Sequence, residues 1–133
     1  MKEIKYSNCF ACGQDNPHGL KLSFEYDDKS AWAWFGSPLC FEGYNGVVHG
    51  GVIATILDEA MAKIILIQGL AAVTADMNIR YRKPLPIGLK VKVTGEITMQ
   101  KTRTIHTKGT IEDEGGNIIA ESTAVYIVVK HLP

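Results

Sequence analysis

The chain has 133 residues, 46% hydrophobic, 21% charged and 8% aromatic, and its 14 Lys+Arg balance 14 Asp+Glu to a formal net charge of zero. That length predicts a single domain over residues 1–133, and the apolar fraction excludes a disordered chain. A neutral balance supplies no field to hold a phosphate backbone, which argues against a nucleic-acid partner.

The opening Met1-Lys2-Glu3-Ile4-Lys5-Tyr6 lacks the apolar run of a signal peptide. The longest apolar stretch, Ala60 to Leu70, is interrupted by Lys63 and Gln68. It falls short of the roughly 20 apolar residues of a membrane span. Cys9, Cys12 and Cys40 make an odd set, a poor match to a secreted disulfide framework. These features predict a soluble, cytoplasmic protein with no membrane partner.

In chain order, residues 7–20 are dense in turn formers and predict an ordered lead-in loop, taken as 1–20. Leu22 to Tyr26 and Ala31 to Phe35 flank Asp27-Asp28-Lys29-Ser30 and predict two strands joined by a hairpin turn. Trp32, Trp34 and Phe35 are expected to pack the sheet. Gly43 to Gly51 carries four glycines and predicts a loop with special backbone demands. Val52 to Ile67 has helical periodicity: Thr55, Glu59 and Lys63 share one arc with Asp58 at its edge, and apolar residues fill most of the rest. So widely apolar a helix is buried, here against a sheet, and Gly69 ends it.

Val73, Ala75, Met77, Ile79 and Tyr81 then alternate with Thr74, Asp76, Asn78, Arg80 and Arg82, a strand with one dry and one polar face. Lys83 to Gly88 breaks it, and a second alternation runs from Leu89 to Met99. A strand at about Arg103 to Glu112, the turn Glu114-Gly115-Gly116-Asn117 and a last strand over Ile118 to Val129 complete the chain. Short connections predict an antiparallel sheet, and one helix against it an α+β layer.

The candidate chemistry lies in His49-Gly50-Gly51 with Asp58 seven residues beyond. Gly50 and Gly51 open the helix, where backbone N–H groups lack intrahelical partners and the dipole favours negative charge. Such donors suit an oxyanion hole. Glu59 has a simple account as a solvated pair with Lys63. Asp58 has none within the helix, and a carboxylate buried without a partner is unfavourable. Two readings of it stand: a catalytic carboxylate, or a core carboxylate bonded to strand amides. His49 could equally be a structural cap. Gly51 and Asp58 share a face but lie about 10 Å apart along the axis. One reacting carbon needs its oxyanion donors and its base each within about 3 Å. That gap predicts a homodimer in which Asp58 of one copy meets Gly50 of the other.

Gly46-Val47-Val48-His49-Gly50-Gly51-Val52-Ile53-Ala54-Thr55-Ile56-Leu57-Asp58 resembles the signature of hotdog-fold acyl-CoA thioesterases of the phenylacetate-pathway, PaaI-like type. Cys9 to Leu20, Thr74 to Tyr81 and Gly115 to Val129 resemble further segments of that family. The resemblance implies a hotdog fold, an antiparallel sheet wrapped around one long central helix, with paired subunits forming the sites. It implies hydrolysis of an acyl- or aryl-acyl-CoA to free acid and coenzyme A by a homodimer or homotetramer (a dimer of dimers). Gly50 would donate its N–H to the thioester carbonyl, and Gly51 would border the substrate. Asp58 would act as general base or as nucleophile. His49 would hold the carbonyl or thiol end, and Thr74 would orient Asp58 or the water.

Some relatives carry Asn or Gln six residues before the His. Gly43 stands there, with Asn45 nearby as a substitute. Arg80, Arg82, Lys83, Lys101 and Arg103 are candidate contacts for the coenzyme A phosphates, or ordinary strand-end charges. Cys9–Cys12 is half of a zinc site that His18 and Cys40 could complete, but the resemblance implies a covering loop without metal. The expected protein therefore needs no cofactor. Its rival is a non-catalytic binder of acyl-CoA or another small ligand on the same fold.

Overall fold

The computed structural model describes residues 6–131, so Met1 to Lys5 at the head of the lead-in loop lie outside it. The elements run β1 (Glu25–Tyr26), β2 (Ser30–Phe35), α1 (Gly50–Ile67), β3 (Leu70–Tyr81), β4 (Val91–Gln100), β5 (Thr104–Asp113) and β6 (Ile118–His131). The strands form one six-stranded sheet in the order β1-β2-β4-β5-β6-β3, every neighbouring pair antiparallel. The helix crosses its inner face, chiefly over β4, β3 and β5.

Helix α1 buries Ile53, Ile56, Leu57, Ala60, Met61, Ile64 and Ile65. They meet Val91, Val93, Ile105, Ile111 and Tyr126 from the sheet. Each large side chain so removed from water contributes about 1.5–3 kcal/mol. Close approach depends on Gly95 in β4, where a Cβ would lie 2.2 Å from the Ala60 carbonyl oxygen. Any side chain there pushes the helix off the sheet. Gly69, with φ +82°, ends the helix as expected.

Three expectations are corrected. The first strand shortens to Glu25–Tyr26, because the Leu22 amide donates instead to the Ala11 carbonyl of the lead-in loop at 2.9 Å. Among the aromatics of β2 only Phe35 joins the core. Trp34 is 47% exposed on the outer face, and the ammonium groups of Lys90 and Lys92 lie over the two indole rings. Strict alternation along β3 fails at a bulge between Thr74 and Asp76. Val73 and Tyr81 are 54% and 51% exposed rather than dry.

Candidate active site

The N-terminus of α1 uses nearly all of its free amides. His49 is the N-cap, its Nδ1 accepting from the Gly51 N–H at 2.9 Å. Val52 and Ile53 both donate to the His49 carbonyl. Only the Gly50 N–H has no acceptor among the described residues. The helix start thus offers one donor, at Gly50, while the Gly51 amide is occupied by His49. Because Nδ1 accepts, the neutral ring carries its proton on Nε2, a second donor beside Gly50. Capping therefore leaves the Nε2–H of His49 without an acceptor among the described residues. Tyr81, from the end of β3, donates its hydroxyl to the Gly50 carbonyl at 2.8 Å and holds this first turn in place.

Gly43 has a steric reason to lack a side chain, since a Cβ there would sit 3.0 Å from the His49 Cα. Asn45 is exposed and does not line the adjoining cleft of about 440 Å³, whose walls include Glu42, Gly43, Tyr44, Val48, His49 and Gly50. Glu42 binds the Gly46 N–H at 2.7 Å and fixes that loop.

Asp58 lies two turns further along α1, half-buried between β3 and β6. The Thr74 hydroxyl donates to Asp58 Oδ1 at 2.8 Å, and the Tyr126 hydroxyl bonds the same oxygen. The Asp58 carbonyl is a further acceptor for Tyr126, at 2.9 Å. Hydroxyls rather than strand amides satisfy the carboxylate, which answers the core reading of Asp58. Both converge on Oδ1, so Oδ2 has no partner among the described residues. The bulge in β3 is what turns Thr74 toward the helix. Burial, and then the Asp58 carboxylate, push the Tyr126 hydroxyl far above its ordinary pKa, so it stays a proton donor.

Sequence reasoning missed Tyr126. Its signal was present: β6 alternates small inward residues, Ala120, Ser122 and Ala124, up to one buried tyrosine whose hydroxyl needs a partner.

The cations split into two groups. Arg82 and Lys83 lie where β3 leaves the sheet, both amides donating to the Ile119 carbonyl, and Arg82 is paired to Glu121 at 3.1 Å. Lys101 and Arg103 lie at the opposite end, where the Arg103 carbonyl accepts from Val128. Arg82 and Lys83 thus follow Tyr81, at the end of β3 that reaches Gly50, and Lys101 and Arg103 lie toward the end of β6 that carries Tyr126. Glu59 and Lys63 are also corrected. Their pair, at 3.7 Å, is not solvated, for the side chains are only 19% and 11% exposed beneath the lead-in loop. Burial and the Glu59 carboxylate push the neighbouring Cys12 thiol up to about 12.

A sheet wrapped on one helix, with a free amide at its start and a hydroxyl-bound aspartate two turns on, matches a known family. The thioesterase superfamily model covers residues 45–120, more than half of the chain, and the chain belongs to that superfamily, with its hotdog fold. Acyl-coenzyme A thioesterase THEM4 of Mus musculus is 33% identical over 113 residues, covering 80% of this chain and 49% of that protein. The chain thus spans about half the length of the curated relatives it matches. A hypothetical thioesterase protein of Streptococcus pneumoniae, solved with coenzyme A, superposes with a TM-score of 0.80 at 21% identity, covering 84% of this chain and 91% of that one. The E. coli PaaI protein of the phenylacetic acid degradation operon superposes with a TM-score of 0.80 at 20% identity, covering 85% and 83%. The family resemblance read from Gly46 to Asp58 is borne out. Among the described residues no helix is long and apolar enough to cross a membrane.

Proposed function

We propose that residues 1–133 form one thioesterase domain that hydrolyses an acyl- or aryl-acyl-CoA to free acid and coenzyme A, as a homodimer or dimer of dimers. The observation that carries this reading is the division of labour on α1: one unused amide at Gly50, one unused carboxylate oxygen at Asp58. Both suit the reaction. The thioester oxygen accepts from Gly50 N–H and His49 Nε2–H, and the helix dipole favours the charge that develops there. Asp58 Oδ2 takes a proton from water as the oxygen attacks the carbonyl carbon. The C–S bond then breaks, and the sulfur leaves as the thiol with that proton. Direct attack by Asp58 through a mixed anhydride gives the same net hydrolysis. The coenzyme A bound to the Streptococcus pneumoniae neighbour supports the choice of thioester.

Eight residues separate Gly50 from Asp58, about 12 Å along the helix, so neither can complete the other's site within one copy. An antiparallel second copy supplies the missing half. It also brings Arg82 and Lys83 of one chain toward Lys101 and Arg103 of the other, four cations for the phosphates. Edge strand β3 supports this pairing, with twelve residues and its outer side unpaired. Free thiols at Cys9, Cys12 and Cys40 support work in a reducing cytoplasm.

The test is a panel of acyl-CoAs with a thiol-reactive dye. Release of free thiol by the wild type, lost in Asp58→Asn, is the expected result. Saturable acyl-CoA binding without thiol release would replace the enzyme with a binding protein.

A further inference from the structure

Cys9 and Cys12 are left over from that chemistry, and the structure brings neither His18 nor Cys40 to them. It brings Glu59 of α1, fifty residues away in sequence. One atom from each residue, two sulfurs and a carboxylate oxygen, lie within 4.8 Å of one another. The backbone fixes the thiols in a tight knuckle: the Gly13 N–H donates to the Cys9 carbonyl at 2.9 Å. A Cβ on Gly13 would fall 2.3 Å from the Cys9 nitrogen, so the turn admits only glycine. We propose that Cys9, Cys12 and Glu59 bind a thiophilic divalent cation of the Zn²⁺ class, which fastens the lead-in loop to the outer face of α1.

Tetrahedral zinc, with Zn–S near 2.3 Å, sets neighbouring ligand atoms about 3.8 Å apart; Cys9 Sγ and Glu59 Oε2 already lie 4.0 Å apart, and no pair has to close by more than about 1 Å. Charge also balances. Two thiolates and a carboxylate against a divalent cation leave one negative charge, and Lys63 supplies the positive one. Its Nζ lies 3.6 Å from Cys12 Sγ and 3.7 Å from Glu59 Oε1, the place of an outer partner that steadies ligating atoms. A cavity of about 180 Å³ opens beside the three ligands, bordered by Tyr6, Leu66 and Ala72, with room for a water as fourth ligand. Reduced Cys-x-x-Cys pairs in a cytosolic protein fit metal binding better than a disulfide.

The probe is Co²⁺, titrated into the reduced, chelator-stripped 133-residue chain. One equivalent is expected to bring sulfur-to-cobalt charge-transfer absorption and tetrahedral d–d bands, and added Zn²⁺ to abolish both. Cys12→Ser should lose the charge-transfer absorption. Glu59→Gln should keep thiolate absorption but weaken Co²⁺ binding by at least the roughly 10–100-fold that loss of a supporting partner causes. Wild-type protein that gives no charge-transfer band, or that holds a Cys9–Cys12 disulfide and takes up no metal when reduced, would overturn the site. So would bands that survive in Cys12→Ser. None of these readouts uses thioester hydrolysis, so failure here leaves the proposed activity standing.

Discussion

The two stations on α1 are built from different materials. At the helix start the proposed oxyanion donor is backbone: the Gly50 amide left over after the His49 ring and carbonyl have taken the next three. Eight residues on, the proposed base is a side chain, and its geometry depends on two hydroxyls from β3 and β6. The first station is set largely by local chain geometry. The second is assembled by tertiary structure and weakens when either hydroxyl is lost.

The largest effect is expected from Asp58→Asn, which keeps an oxygen for Thr74 and Tyr126 but removes the proton acceptor. Steady-state turnover should fall about 10²–10⁴-fold with the fold intact by circular dichroism. Next is Gly50→Pro. Proline is well accepted at the first helical position, and the His49 ψ of 135° is compatible with a following proline. It deletes the one free amide, so kcat should drop about 10²–10³-fold while thermal stability changes little. A variant that retains full rate would remove the backbone station from catalysis.

Thr74→Ala and Tyr126→Phe each take one hydroxyl from Oδ1. Each is expected to lower kcat about tenfold, equivalent to about 1.4 kcal/mol, with KM nearly unchanged. In the double variant the losses should be non-additive, because both hydroxyls hold one oxygen. Strict additivity would mean that they act separately.

The smallest effect marks a region outside both stations. Lys29 and Ser30 amides hold the Asp27 carboxyl below the usual carboxylate range in the β1–β2 turn. Its folded pKa lies below its unfolded one, so its contribution to stability is present above the ordinary range and lost as pH falls through the folded value. Melting curves of Asp27→Ala and wild type should therefore converge in acid, with hydrolysis rates equal at neutral pH.

How much was legible follows the same division. The helix, its glycine stop, the hairpin turns and the Gly50 station are local, and residue types and spacing revealed them. Asp58 was visible only as a carboxylate without a partner. Of its two holders, Thr74 came only through the family resemblance, since plain alternation along β3 does not place it toward the helix without the bulge, and Tyr126, 68 residues away, could not be read. That the Gly51 amide is taken by the His49 ring is a matter of rotamer, which the sequence does not show. The Glu59–Lys63 pair was misread because its cover, the lead-in loop, comes from some fifty residues upstream.

The central claim, that two copies share each site, is tested by mixing. Asp58→Asn and Gly50→Pro homodimers, each nearly inactive, are unfolded together in equal amounts and refolded. Half of the random dimers are mixed, and each mixed dimer holds one intact pair of stations, so about a quarter of wild-type activity should return. Activity that stays at the level of the separate variants, while mixed dimers are shown to form, would contradict the account.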